Sequence, residues 1–360
     1  MNSTITQQDV FAFVGDPATF GGLPVKRIDT HVASVFLAGD RALKIKREVR
    51  FPFLDFSTLA KRQAACEAEI EANRPFAPAL YHGVVPITCE ADGRLAIGGK
   101  GEPVEWAVDM VRFDETQTLD QIADRSGIDV GLADQLARTI AAAHARAPVV
   151  EDAPWIEALA AYIGQNETAF AASEALYRPA EREALTRASF AALRKVRPLL
   201  ITRGRAGLVR RGHGDLHLGN IALIDGRPVP FDAVEFDPLI AAGDVLYDLA
   251  FLLMDLDERD LTLAANVVLN RYLAETRRLE DYDGLAALPL FLSVRAAIRA
   301  KVIAARPIPP DGDGRAIVRD LYPPDQAASL LGYVTMGMSL APLLGPMIGG
   351  LLDEAFGWRS

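Results

Sequence analysis

The densest run of reactive side chains is His213-Gly-Asp215-Leu-His217-Leu-Gly-Asn220, with Asp232 twelve residues beyond it. The spacing is H-x-D-x-x-x-x-N. An aspartate at 215 can accept the proton of a hydroxyl, and an amide oxygen at 220 is a hard ligand suited to Mg²⁺. Asp232, arriving after Pro228-Val-Pro-Phe231, supplies a second oxygen ligand. A base beside a divalent-metal site is what in-line phosphoryl transfer to a hydroxyl requires. A rival chemistry uses fewer residues. His213, Asp215 and His217 alternate, and on a strand they would share one face as a zinc cluster of a hydrolase. That leaves Asn220 and Asp232 without a role, and no further histidine is at hand.

Elements must hold these groups. Gly212 to Asp237 reads as a strand-and-loop block punctuated by Gly, Pro and Asp. The chain before Phe113 reads as mostly strand. His31 to Ile45 is two apolar runs around Ala38-Gly39-Asp40-Arg41, which predicts a hairpin. Phe56 to Asn73 predicts a helix with Ser57 as its cap. Tyr81 to Thr88 and Pro103 to Phe113 predict further strands. From Glu115 the pattern turns helical, over Val130 to Ala147, Ala153 to Ser173, Ala180 to Val196, Asp260 to Glu275 and Ala286 to Ala305. The order is a strand-rich small lobe, a hinge, and a helical large lobe with the polar loop embedded in it.

Composition bounds the reading. The 360 residues are half apolar and about a quarter charged, a globular chain long enough for two domains. With 38 basic against 48 acidic residues, the net charge of −10 argues against a nucleic-acid partner. Cys66 and Cys89 are too few for a disulfide framework, which points to a reducing compartment. The first residues carry no basic and apolar run of the signal-peptide kind. Arg306 to Arg315 is a Pro/Gly/Asp linker. Beyond it, Ala327 to Leu352 contains no charged residue and exceeds the ~20 residues that cross a bilayer.

HGDLHLGN, FDAVEFD and GDVLYDLAFL together resemble the aminoglycoside phosphotransferase and choline kinase superfamily. THVASVFL, ALKIKREVRFPFLDFSTLAKRQAACEAEIEAN and APALYHGVVPIT resemble, more narrowly, the N-terminal part of bacterial two-part proteins. Those join such a domain to a C-terminal P-loop ATP-binding domain. The resemblance covers residues 1–306. It implies an α+β, bilobal, protein-kinase-like fold, with an N-lobe over 1–112 and a C-lobe over 113–306. It also implies ATP and Mg²⁺ as cofactors and a small-molecule hydroxyl acceptor that it does not name. Asp215 then takes the catalytic role, and Asn220 and Asp232 hold metal. Lys44 pairs with the nucleotide phosphates, with Lys46 on the same strand face as the alternative. Glu69 orients that lysine, with Glu67 as the alternative. Ser34 falls at the nucleotide-covering loop, although no G-x-G-x-x-G is present. Ala107 to Met110 forms the hinge that meets adenine through its backbone. Asp244 and Asp248 buttress the catalytic loop. His82 and His144 are structural, and Cys66 belongs to the core of the helix carrying Glu69.

No G-x-x-x-x-G-K-[ST] occurs, so the P-loop half of the two-part proteins has no counterpart here. Residues 311–360 instead resemble a fragment of a major facilitator superfamily drug-resistance transporter, down to Gly345-Pro346-x-x-Gly349-Gly350. One helix cannot build a transport pathway. The reading is a linker at 307–326 and a transmembrane helix at 327–352. Arg315 and Arg319 before it, and Asp353 and Glu354 after it, keep the kinase-like part cytoplasmic, tethered to the inner membrane. The function expected is phosphotransfer. The rivals are a catalytically silent nucleotide-binding module and a transporter fragment fused to a kinase-like domain.

Overall fold

The computed structural model describes residues 5–51, 54–172, 177–235 and 238–304. Contacts divide the chain into two units. One holds residues 1–128, 142–147 and 211–241, and the other holds 129–141, 148–210 and 242 onward.

The first unit opens with α1 (Gln7–Gly15), started by a capping box between Thr6 and Asp9. The sequence reading expects no helix there, because nine residues span too few turns to show a helical period. Strands β1 (Val25–Asp29), β2 (Ala33–Ala38) and β3 (Arg41–Lys46) follow, then a short ladder of β4 (Arg50–Phe51) and β5 (Leu54–Asp55). The expected hairpin is β2–β3. Helix α2 (Leu59–Asn73) is capped by Thr58, whose hydroxyl accepts from the Lys61 amide. Ser57, the expected cap, donates to Asp55 instead. Strands β6 (Tyr81–Cys89), β7 (Leu95–Ile97) and β8 (Glu102–Val111) complete a six-stranded antiparallel sheet of order β1-β2-β3-β8-β6-β7.

Strand alternation gives this sheet two working faces. On one, Phe36, Leu43, Ile45, Ile87 and Ala107 pack with Val10, Phe11 and Val14 of α1. On the other, Leu37, Ala42, Val108 and Met110 pack with Cys66 of α2. Ala42, Lys44 and Lys46 therefore face α2, and Leu43 and Ile45 face α1. Helix α3 (Leu119–Ser126) follows the sheet.

The second unit is helical. It takes the first part of α4 (Val130–Arg146), α5 (Asp152–Ala171), α6 (Pro179–Arg205) and most of strand β9 (Val209–Arg211). Helix α6 runs on past the expected end at Val196 with Pro198 inside it. The chain then returns to the first unit for the hairpin β10 (Ile221–Ile224) and β11 (Arg227–Pro230) and for α7 (Pro238–Ala241). Asp225 and Gly226 at the hairpin tip both have positive φ, the Asp-Gly turn whose twist matches paired strands. Back in the helical unit come β12 (Ala242–Asp244), α8 (Val245–Glu258), α9 (Thr262–Thr276), α10 (Leu279–Gly284) and α11 (Leu288–Ala304). Helix α8 is buried from Val245 through Leu256. Burial all round leaves no amphipathic period to read, so the sequence reading expects no helix there.

Trp155, Tyr247 and Phe291 form an aromatic cluster with centroids 5.5 to 6.0 Å apart. The buried Arg203 guanidinium is held by Asp244 at 2.6 Å and Asp281 at 3.3 Å. The fold class is the α+β expected, a strand-rich unit and a helical one. Among the described residues no helix is long and apolar enough to cross a membrane. The linker at 307–326 and the uncharged segment at 327–352 lie outside the described residues.

Candidate active site

Strand β3 and helix α2 bring the first charges together. Lys44 Nζ lies 2.9 Å from Glu69 Oε1 and 2.5 Å from Asp232 Oδ1. Lys46 Nζ lies 2.5 Å from Glu69 Oε2 and also contacts Glu235. Glu69 is fully buried, so both of its oxygens are committed to ammonium groups. Both lysines named from the sequence thus reach the same carboxylate. They differ in exposure, 14% for the Lys44 side chain against 2% for Lys46. Glu67 is exposed. Beneath this pair, Glu105 is buried against Arg62 at 2.9 Å and accepts from Gln7 at 2.7 Å.

The segment carrying Asp232 is pinned amide by amide. Phe231 N–H donates to Asn220 O at 2.9 Å and Asp232 N–H to Tyr81 Oη at 3.1 Å. Ala233 N–H donates to Asn73 Oδ1 at 3.0 Å, and Val234 N–H to His213 O at 2.9 Å. Asp232 itself sits at φ 61°, a left-handed conformation that aspartate tolerates better than most side chains. Four partners from β6, α2 and the loop from His213 to Asn220 hold it there. Asn73 in turn donates to Glu69 O at 2.9 Å, so the helix positions both ends of the Glu69–Asp232 pair.

The loop from His213 to Asn220 is braced from inside. His213 Nε2 donates to Phe231 O at 2.9 Å, and the ring meets Phe76 edge-on at 5.1 Å. Asn220 Nδ2 donates to Asp215 O at 3.0 Å and to Asp215 Oδ2 at 3.1 Å. His217 Nδ1 accepts from Gly219 N–H at 3.1 Å, which leaves Nε2 protonated, 3.5 Å from Asp215 Oδ2. Gly214 has φ 81°, and a Cβ there would stand 3.1 Å from Val234 Cβ. This geometry separates the two chemistries. The zinc reading needs both histidines, yet His213 Nε2 is spent on a carbonyl. Among the described residues no three His, Cys, Asp or Glu groups are placed to hold a metal. Asn220 and Asp232 offer two hard oxygens instead, a donor set that fits Mg²⁺ completing its shell with phosphate oxygens and water.

Electrostatics follow from this packing. Burial disfavours the Lys44 charge, but Asp232, Glu69 and Glu235 outweigh it and hold the amine well above its ordinary value. Lys46 is likewise raised against its burial, chiefly by Glu69. Desolvation opposes ionisation of Asp232, and Lys44 overrides it, bringing the carboxyl down to about 2. Burial pushes Cys66 up to about 12, as expected of a core thiol.

Two sequence placements need correction. Ser34 is not in a loop. It lies in β2 opposite Ile45, on the face away from Lys44, fully buried and donating to Asp29 at 2.6 Å. Ala107 to Met110 is not a hinge. It is the middle of β8, paired with β3 on one side and β6 on the other, so its backbone groups are taken by the sheet. The chain leaves the sheet only after Val111, at Arg112 to Asp114. Asp244 and Asp248 lie in the helical unit. Asp244 caps α8 and pairs with Arg203, and Asp248 lies 3.7 Å from Arg295. His144 is buried and His82 is exposed. Sequence reasoning missed Tyr81, Asn73 and Glu235. Asn73 had a signal, a polar residue one helical turn after Glu69, and Glu235 another, a carboxylate three residues after Asp232.

Residues 49–288 match the phosphotransferase enzyme family. The chain belongs to that family. The match begins after Lys44 and Lys46. A Mycobacterium tuberculosis protein described as uncharacterized is 31% identical over 285 residues, covering 77% of this chain and 54% of that protein. A Mycobacterium bovis protein gives the same figures. The phosphotransferase-family chain thus spans about half the length of the relatives it matches. The solved GDP complex of aminoglycoside 2'-phosphotransferase-IIIa is 14% identical with a TM-score of 0.48, covering 94% of this chain and 98% of that one. A choline/ethanolamine kinase family protein from Mesorhizobium loti is 14% identical with a TM-score of 0.43, covering 92% and 100%. At that distance neither bears on the site. Residues 314–360 match the Major Facilitator Superfamily. Multidrug resistance protein D of Escherichia coli is 44% identical over 46 residues, 13% of this chain and 12% of that protein.

Proposed function

We propose that the chain transfers the γ-phosphate of ATP, with Mg²⁺, to a hydroxyl group of a small molecule. The observation that carries this is the contact of Lys44 with both Glu69 and Asp232, beside a loop in which Asn220 holds Asp215. Lys44, the more exposed lysine, meets the nucleotide phosphates, and Glu69 keeps it aimed. Mg²⁺ would supply charge neutralisation on the phosphate oxygens, held by Asp232 and by the amide oxygen of Asn220. Asp215 accepts the acceptor hydroxyl's proton. The Asn220 amide and the His217 N–H fix its carboxylate for that task. Past the strand exit, the Phe113 backbone, rather than Ala107 to Met110, meets adenine, because the Arg112 N–H is already given to Asp40 O. Ser34 acts through its bonds to Asp29 and Arg27.

A membrane contact through residues 327–352 is a separate proposal, supported by the uncharged run and the transporter match. Retention of the full chain in carbonate-washed membranes tests it, and release into the wash sinks it.

The nucleotide reading is tested by thermal shift of the full chain with ATP, with and without Mg²⁺, beside Asp232→Asn. Ligand at about a hundred times its Kd stabilises by ~2.7 kcal/mol. A rise that requires Mg²⁺ and is lost in Asp232→Asn is the expected result. A folded protein with no shift overturns the proposal.

A further inference from the structure

A lysine on the strand and a glutamate on the helix suffice to hold nucleotide phosphates, and Lys44 with Glu69 supplies both. The site contains more. Its ion pairs run as one chain, Asp232–Lys44–Glu69–Lys46–Glu235. Both ends of that chain belong to one four-residue segment, 232–235, and its middle belongs to α2. Three carboxylates against two ammoniums leave one negative charge in excess. Only Asp232 is open enough to present it, at 46% side-chain exposure, against 8% for Glu235 and none for Glu69.

The Lys46 amine cannot reach a ligand. It is enclosed by Glu69, Glu235 and the Phe56 ring, whose centroid lies 5.6 Å away. What it does is tie the second oxygen of Glu69 to the far end of the segment that carries Asp232. Lys44 alone cannot keep that tie once Asp232 turns from it to a metal. Lys46 and Glu235 would then be the ionic link left between α2 and the metal-bearing segment.

We propose that Lys46 and Glu235 form a positioning clamp that holds Asp232 in place for the metal–nucleotide complex without touching it. This rests on the phosphotransferase reading above and deepens it.

The test is calorimetric binding of ATP to the full chain, with and without Mg²⁺, in Glu235→Gln, Lys46→Met and the double variant. Glu235→Gln keeps the side chain's size and leaves Lys46 an acceptor oxygen, so it guards against loss of fold in Lys46→Met. Supporting partners of metal ligands typically contribute ~10–100-fold in affinity, so Glu235→Gln should weaken Mg²⁺·ATP binding by at least about tenfold. Metal-free ATP should bind it within about twofold of wild type, because Lys44 and Glu69 are intact. The double variant should lose no more than the worse single one, as members of one linkage do. Equal losses with and without Mg²⁺, additive losses, or unchanged Mg²⁺·ATP affinity would overturn the clamp. A wild-type chain that binds no Mg²⁺·ATP would instead remove the phosphotransferase reading itself.

Discussion

Glu69→Gln should destabilise the apo protein far more than its size suggests. Glutamine has the same shape, so packing is kept and charge alone changes. In the wild type, one fully buried carboxylate faces Lys44 at 2.9 Å and Lys46 at 2.5 Å. An amide offers one acceptor oxygen, and its NH₂ must face the other ammonium. Removing one partner of a buried ion pair costs about 3–5 kcal/mol, mostly because the remaining charge is stranded. Here the stranding is partial. Lys44 keeps Asp232 and Lys46 keeps Glu235, so the low end applies, about 3 kcal/mol. In a chain of 360 residues that lowers Tm by roughly 4 °C. Glu67→Gln is the control. Its side chain is exposed on the same helix and should change stability by less than about 0.5 kcal/mol. Urea unfolding by circular dichroism, with tryptophan fluorescence as a second probe, reads both variants. If Glu69→Gln came within about 1 kcal/mol of wild type, the two lysines would not depend on Glu69 and the charge chain would be wrong.

Three further outcomes follow from the same geometry. Asp215→Ala should lower phosphate transfer by at least ~10²-fold while the Mg²⁺-dependent ATP thermal shift persists, and near-wild-type transfer rates would remove Asp215 as the base. Asp232 ionises at about 2 when folded, against an ordinary 3.8, so its pairing stabilises the protein above 3.8 and the benefit is lost as pH falls toward 2. The full shift would amount to about 2.5 kcal/mol, but the half-open side chain is screened by water and about 1 kcal/mol is expected. Asp232→Asn should therefore unfold more easily at pH 7 and converge with wild type only as pH approaches 2, and a pH-independent gap would contradict that. Gly214→Ala should lose about 2 kcal/mol, since its positive φ strains alanine and the new Cβ meets Val234 at 3.1 Å. An unfolding midpoint unchanged by that substitution would mean the loop has room the structure denies.

What the sequence made legible was local. His213, Asp215, Asn220 and Asp232 fall within one short stretch, and its spacing is what prompts the phosphotransfer proposal. The β2–β3 hairpin and α2 announce themselves through turn residues, caps and periodicity. The partners of those residues were not legible, because they come from far along the chain. Lys44 meets Glu69 across 25 residues and Asp232 across 188, and Lys46 meets Glu235 across 189. No window of periodicity spans such distances. The two corrected placements fail for a related reason. Ser34 is a single residue off the face that carries Lys44, and one residue in a strand reverses the side chain's direction. Ala107 to Met110 reads as a buried strand and is one, so its amides were already taken.

The choice between Lys44 and Lys46 shows why type and spacing could not finish the assignment. Both lie on one face of β3, both carry the same charge, and both touch the same carboxylate. Only their surroundings differ. The Lys44 amine adjoins the open carboxylate of Asp232, where phosphates and a metal can approach. The Lys46 amine is closed in by Glu235 and Phe56. A buried ammonium that reaches no ligand would be a costly ornament unless it held something in place, and what it joins is the helix carboxylate and the segment carrying Asp232. The second lysine and Glu235 therefore belong to one requirement. A left-handed aspartate must stay where it is when its own lysine lets go.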